Sequence, residues 1–318
     1  MLQKKKLSKR LLAIIIPISV TAVILSAILI TNIFIPVKYL SAYINLSTDR
    51  SREGEMRISF IDVGDGDCTL IEFPDGKVAL IDGGSGSYNN QLKIFKKLNS
   101  SKINKIDYLF CTSSATKSCS GLAEIVKYKN IGKVYAPIYK NTEATDAYRN
   151  FVKEVANKNK EINEISYGTC CYSEEYGYGI WVLYPSKSVS DGGDNVRASA
   201  IWVSYGGTNV LMLGDLSSSE TLNLLNAYTV SGFEIDGHSI ILEDCNVIKV
   251  PGGIAAGGAL IALCDLIQPE TAILSTDATF SLNADIGHFA NGSIYRTGIN
   301  GTVTLSISDG NYAVKKER

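Results

Sequence analysis

A chain of 318 residues with 45% hydrophobic content and only 7 prolines can bury a full core, as one large domain or two modest ones, and reads as an ordinary folding sequence. Its charge is uneven: residues 1–10 carry Lys4, Lys5, Lys6, Lys9 and Arg10 and no acid, and taking those five from the 31 basic residues leaves 26 against 32 acidic ones. An acidic remainder repels phosphate backbones on average, which argues against nucleic-acid binding through net charge but leaves room for a local basic patch.

Residues 11–36, "LLAIIIPISVTAVILSAILITNIFIP", hold no charged side chain. At about 1.5 Å per helical residue they cover a hydrocarbon core of roughly 30 Å, which predicts one N-terminal transmembrane helix. A cleavable signal peptide has an apolar stretch of only about 7–15 residues and a small-residue cleavage site, so an uncleaved anchor is the better reading. The basic cluster then keeps residues 1–10 as a cytoplasmic tail and sends the rest across the membrane, with the main domain extracytoplasmic. Residues 37–55, "VKYLSAYINLSTDRSREGE", are polar and charged and read as a linker, with the folded domain at 56–318.

From Met56 short apolar runs alternate with turn signals. "RISFIDVG", "CTLIEF", the turn Pro74-Asp75-Gly76 and "KVALIDGG" predict an antiparallel meander. A helix is expected around Asn90–Leu98, a strand at Ile106–Cys111, a helix at Gly121–Tyr128 and a strand at Lys133–Pro137. In the second half "EINEISYG" and "GIWVLYP" read as strands, and "ASAIWVSY" with "VLMLGDL" as a hairpin about Gly206-Gly207. There follow a helix at Ser219–Ala227, a strand at Asn246–Pro251, a helix around Ala256–Leu266, a strand at Thr271–Ser275, and a closing hairpin of "SIYRT" with "TVTLSIS". Two halves of this kind predict an α/β fold, two sheets packed face to face with helices outside: an αββα sandwich.

Seven cysteines (68, 111, 119, 170, 171, 245 and 264) fit no evenly spaced framework. Outside a cell one or two disulfides are allowed, but Cys111, Cys245 and Cys264 lie in or beside apolar runs and read as small hydrophobes. The only histidines are His238, in a predicted turn, and His288, in a polar loop, and neither has a neighbouring ligand spacing. Gly64, Gly66, Gly83, Gly84 and the run Gly252, Gly253, Gly257, Gly258 match no nucleotide-binding motif and are better read as tight turns than as anion-holding loops. No Gly-x-Ser-x-Gly elbow is present.

"ISFIDVGDGDCTLIEFPDGKVALIDGG", "IDYLFCTSSATKSCSGL", "SAIWVSYGGTNVLMLGDL", "NVIKVPGG", "ETAILST" and "IYRTGINGTVTLSI" together resemble, in order and spacing, the metallo-β-lactamase-fold domain of the ComEC-type competence proteins that serve DNA uptake. The resemblance covers about Met56 to Val314. It implies an αββα sandwich holding one or two metal ions, zinc or manganese, and hydrolysis of phosphodiester bonds by a metal-bound hydroxide. In that family a threonine is followed by His-x-His-x-Asp-His; here Thr112 is followed by Ser113, Ala115, Lys117 and Ser118 at the four ligand positions. The bridging aspartate is retained as Asp215, a later histidine is replaced at Gly252, and in the entry motif Asp62, Gly64, Gly66 and Asp67 match while Asp65 stands for a glutamine.

A metal that activates water needs about three protein ligands and an open position, which hydroxyls and a methyl do not supply. The resemblance therefore implies a vestigial site at Asp62, Asp67, Ser113, Ala115, Lys117, Ser118, Asp215 and Gly252, without a metal cofactor. Lys117 stands where a ligand aspartate would be. It either points into solvent, the commoner fate of a loop lysine, or supplies an ammonium in place of the missing cation and pairs with Asp215. Three functions stay open: a non-catalytic domain binding an unknown protein or ligand in the former cleft; an active hydrolase remodelled around Asp62, Asp67, Asp215 and a cysteine such as Cys119; and a binder of single-stranded DNA, disfavoured by the acidic balance.

Overall fold

The computed structural model describes residues 9–34, 37–44, 48–139, 144–185, 198–251, 257–279 and 286–318. Helix α1 (Lys9–Phe34) contains Pro17, and its side chains are described from Ile14 to Ile30. Among the described residues no helix is long and apolar enough to cross a membrane; that described stretch of α1 is shorter than the roughly 20 residues a span needs.

Part of the stretch expected to be a linker is packed instead. A 3-10 turn at Val37–Tyr39 and the short helix α2 (Ser41–Ile44) bury Tyr39 and Ala42. The physical reason is aromatic: Tyr39 stacks on Phe95 with ring centroids 5.0 Å apart, a contact that charge content along the stretch does not disclose.

The first half supplies six strands of an eight-stranded sheet. Strands β1 (Met56–Phe60), β2 (Thr69–Glu72) and β3 (Val78–Ile81) form the expected antiparallel meander. Helix α3 (Tyr88–Ser100), capped by Ser87, crosses over to β4 (Lys105–Phe110), parallel to β3. The short α4 (Thr116–Cys119) and α5 (Leu122–Tyr128) lead to β5 (Asn130–Ala136), and α6 (Asp146–Asn157) leads to β6 (Ile162–Glu164). The second half builds a seven-stranded sheet in the same style. Strands β7 (Cys170–Ser173), β8 (Tyr178–Tyr184), β9 (Ala200–Tyr205) and β10 (Thr208–Met212) are antiparallel. Between β9 and β10, Gly206 and Gly207 have φ of 55° and 78°, the left-handed conformations that a tight hairpin turn demands. After α7 (Ser218–Ser231) and a ribbon of β11 (Phe233–Ile235) with β12 (His238–Ile240), β13 (Val247–Val250), α8 (Gly258–Ile267), β14 (Thr271–Leu274) and β15 (Ser293–Arg296) continue in parallel.

The expected closing hairpin does not form. β15 pairs with β14, whereas β16 (Val303–Ser308) pairs with β1 and with β17 (Asn311–Lys316) in the other sheet. The short helix α9 (Thr297–Asn300) and Gly301, at φ 69°, separate β15 from β16 and carry the chain from one sheet to the other.

Three apolar clusters define the layers. Ile58, Phe60, Phe110, Ile180, Ile201, Met212, Ile273 and Leu305 interdigitate between the sheets. Leu70, Leu80, Leu109 and Val134 pack under α3, α5 and α6 through Ile94, Leu98, Ile125 and Phe151. On the far side Trp202, Leu211, Ile248 and Leu274 pack under α7 and α8 through Leu224, Leu260 and Leu263. Alternate strand residues serve alternate layers, which is how one chain buries both faces of both sheets. The result is an αββα sandwich of two mixed sheets, the layer order expected from the sequence.

Candidate functional site

Four loops meet at one end of the sandwich: that between β1 and β2, that after β3, that between β4 and α5, and the turn after β10. Backbone lacing holds the first three together. Gly83 N donates to Ser118 O at 2.7 Å, Gly84 N to Asp67 O at 2.9 Å and Gly121 N to Gly84 O at 3.1 Å. A Cβ on Gly66 would lie 2.4 Å from the Lys117 carbonyl oxygen, so glycine is what lets these loops touch.

The turn after β10 brings Asp215 against the loop that follows β4. Ser118 Oγ donates to Asp215 Oδ2 at 2.5 Å and Ser113 Oγ donates to the same oxygen at 3.4 Å. Lys117 Nζ lies 3.1 Å from Asp215 Oδ1. Solvent is thus not the sole environment of Lys117, whose side chain is 36% exposed against 9% for Asp215. Burial disfavours charge on Lys117, but the Asp215 carboxylate, with Asp65 and Asp67 behind it, outweighs that and holds its pKa above the usual lysine value. Because the ammonium remains partly solvated, Lys117→Ala and Asp215→Ala should show a coupling of only about 0.5–1 kcal/mol in a double-mutant cycle of unfolding. Strictly additive effects would show that the two groups do not pair.

A second pair lies deeper and joins Asp67 of the entry motif to a lysine that the family motifs do not mark. Lys249 Nζ sits 2.6 Å from Asp67 Oδ1, with side chains only 3% and 6% exposed. Opposite charge at this distance, in a site closed to solvent, is what joins them. Burial, opposed by Lys249 and reinforced by Asp215, moves the Asp67 pKa above the ordinary carboxylate value. Beside it Asp82, at φ 62°, accepts from Thr112 N at 2.8 Å and Thr112 Oγ1 at 2.6 Å. Burial pushes the Asp82 carboxyl well up, Thr112 opposes the shift, and Asp67 and Asp215 add to it.

The signal for Lys249 is present in "VIKVP". On a strand buried on both faces, Val247 and Lys249 share the inter-sheet side while Ile248 and Val250 face the helices. A lysine on an inward strand face demands a buried counter-charge. Among the described residues, the space between Asp67, Asp82, Thr112, Ser199 and Lys249 is a cavity of about 10 Å³, room for roughly one water, against several hundred Å³ for a typical ligand site.

The remaining expected residues are dispersed. Asp62 pairs with Lys93 at 2.9 Å and Arg318 at 2.7 Å and faces a separate cleft with Asp277. Ala115 sits at the start of α4, where its methyl caps nothing. Gly252 lies outside the described residues. Cys119, offered as a ligand of a remodelled site, is fully buried in the apolar layer under α3 and α5, where its thiol donates to Ser114 O at 3.5 Å. A hydrogen bond from the Cys111 thiol lowers its pKa against the opposing effect of burial. All seven cysteines are free. His238 belongs to β12 and not to a turn, because Gly237, at φ 79°, has already completed the turn; its ring lies against Tyr172 and Trp181.

Zinc or manganese does not fit this donor set. A protonated lysine has no lone pair to give, and of the carboxylates at the site Asp67 and Asp215 each face an ammonium while both oxygens of Asp82 accept from Thr112. Among the described residues no group of three or more His, Cys, Asp or Glu side chains is placed to hold a metal.

No protein-family model and no curated protein matches the chain. Solved structures similar to it include the metallo-β-lactamase fold protein YhfI from Bacillus subtilis, at 10% identity over 82% of this chain and 100% of that one, with a TM-score of 0.49. CmlA, a diiron β-hydroxylase from Streptomyces venezuelae, is similar at 13% identity over 82% of this chain and 55% of that one, TM-score 0.46. Human tRNase Z, short form, is similar at 12% identity over 69% and 92%, TM-score 0.41. At these identities and scores the layer order rests on this chain's own strands and clusters.

Proposed function

We propose that this protein is a membrane-anchored, extracytoplasmic, non-catalytic domain of ComEC-like metallo-β-lactamase type, which binds a protein or ligand at the loop end of its sandwich. The observation that carries the reading is the placement of two ammonium groups, Lys117 and Lys249, against the carboxylates of Asp215 and Asp67. Each supplies positive charge at a carboxylate without a Lewis-acidic ion, so the fold keeps its electrostatic balance while losing the means to ionise a water. Anchoring is supported by α1, whose residues from Leu11 to Phe34 carry no charge and in which Ile14, Ile18, Leu25 and Leu29, among the described side chains, are exposed.

The test is hydrolysis of a chromogenic phosphodiester by the full chain in detergent, with added zinc or manganese. No turnover above buffer is expected. Turnover that chelators abolish and that Asp215→Ala removes would replace this reading with an active, remodelled hydrolase.

A further inference from the structure

The strap between α1 and the domain has two unlike faces. Its inner face is fastened to α3 and α5: Tyr39 and Ala42 are buried, Tyr39 stacks on Phe95, Asn99 Nδ2 donates to Ala42 O at 3.2 Å, and Lys38 Nζ lies 3.0 Å from Glu124 Oε2. Its outer side presents Val37, Leu40 and Ile44, which are 37%, 42% and 72% exposed, along the 3-10 turn and the short helix α2. Exposed lysines stand next in sequence to the aromatic residues that hold the strap: Lys96 follows Phe95 on α3, and Lys127 precedes Tyr128 on α5.

We infer that the outer face of Val37–Ile44, with Lys96 and Lys127 on the neighbouring helices, seats the α3–α5 side of the domain on a bilayer surface bearing anionic lipid. The inference rests on the reading of α1 as an anchor. Chain length then fixes the geometry. Phe34 and Val37 are three residues apart, a reach of at most roughly 11 Å, so the strap cannot leave the neighbourhood of the headgroup layer. A short segment with an exposed apolar side and lysines on the neighbouring helices is the composition that lies in that layer, apolar side toward the acyl chains and ammonium groups toward lipid phosphates. Because the inner face is bolted to α3, the strap positions the whole domain and does not merely tether it.

The experiment places an indole on the outer side of the strap. Full-length Leu40→Trp is reconstituted into nanodiscs containing anionic lipid, with bromine on the acyl chains near the headgroups as quencher. The two native tryptophans, Trp181 and Trp202, are buried, and Ile241→Trp, at an exposed position on the other half of the sandwich, is the control. Emission from the indole introduced by Leu40→Trp is expected to shift to the blue and fall about twofold relative to unbrominated discs, as for a ring in the interface. The Ile241→Trp control should not change. Adding Lys96→Glu and Lys127→Glu to the Leu40→Trp chain should weaken its quenching in anionic discs. If the Leu40→Trp and Ile241→Trp chains give the same emission while both are held in the discs, the strap inference is overturned and the anchor stands. Failure of the chain to enter discs overturns both, and quenching indifferent to lipid charge overturns the anionic component.

Discussion

Lys249→Met is expected to cost about 3–5 kcal/mol of unfolding free energy, because it leaves the Asp67 carboxylate buried without its counter-charge. Asp67→Leu, which strands the ammonium instead, should cost a similar amount. The double variant should lie close to the parent, within about 1 kcal/mol, since replacing a whole buried ion pair by apolar groups of similar volume is often neutral or better. The raised pKa of Asp67 points the same way: burial outweighs the attraction of Lys249, so the pair is expensive to break without being a large net stabiliser. The loss in Lys249→Met should also depend on pH. A carboxyl whose folded pKa is raised binds its proton more tightly when folded, so its destabilisation is present at neutral pH and fades as pH falls toward its unfolded value near 4. Denaturant unfolding of the full chain in mild detergent, at neutral and acidic pH, checks both statements. Additive single effects, or a penalty that grows on acidification, would contradict the pairing.

Gly121→Ala is the second large effect, about 3 kcal/mol or loss of a folded product. Its backbone φ of −77° suits alanine, so conformational preference is not the cause. A Cβ there would stand 1.9 Å from Gly83 O and 2.0 Å from Gln91 Nε2, and Gly83 O is already held as the acceptor of the Gln91 amide at 3.1 Å. Relief requires separating the loop after β3 from the start of α5, which also parts Ser118 from Gly83 N. The contrasting variant is Gly237→Ala, where a Cβ meets nothing within 4 Å and the cost is only that of a left-handed φ, about 1 kcal/mol. Thermal unfolding of the two side by side measures the difference; equal shifts would show that close approach of the loops is not what fixes glycine at 121.

The meander of β1 to β3, the β9–β10 hairpin and the α3, α5, α7 and α8 helices are legible in the sequence because each carries its own periodicity and turn residues. Helix α6 is absent from the sequence expectations, although Tyr148, Phe151 and Val155 recur at helical spacing behind a Thr145 cap. β7, "CCYS", has no apolar run to announce it and takes its place by pairing with β8. The expected closing hairpin fails because "SIYRT" and "TVTLSIS" each look like strands, while their assignment to opposite sheets depends on partners far away in sequence. The changed ligand positions are visible one by one. That Lys117 reaches Asp215 depends on how the turn after β10 approaches the loop after β4, a long-range fact that no local pattern states. Lys249 is local after all: a charged residue on the inward side of "VIKV" announces a partner, though not which one.

The metal content of the full chain, after equilibration with excess zinc and manganese and removal of free ion, tests the central claim most directly. With ammonium groups facing Asp215 and Asp67, no ion should be retained in proportion to protein, and Asp215→Ala should change nothing. One ion held per chain and released by Asp215→Ala would contradict the account.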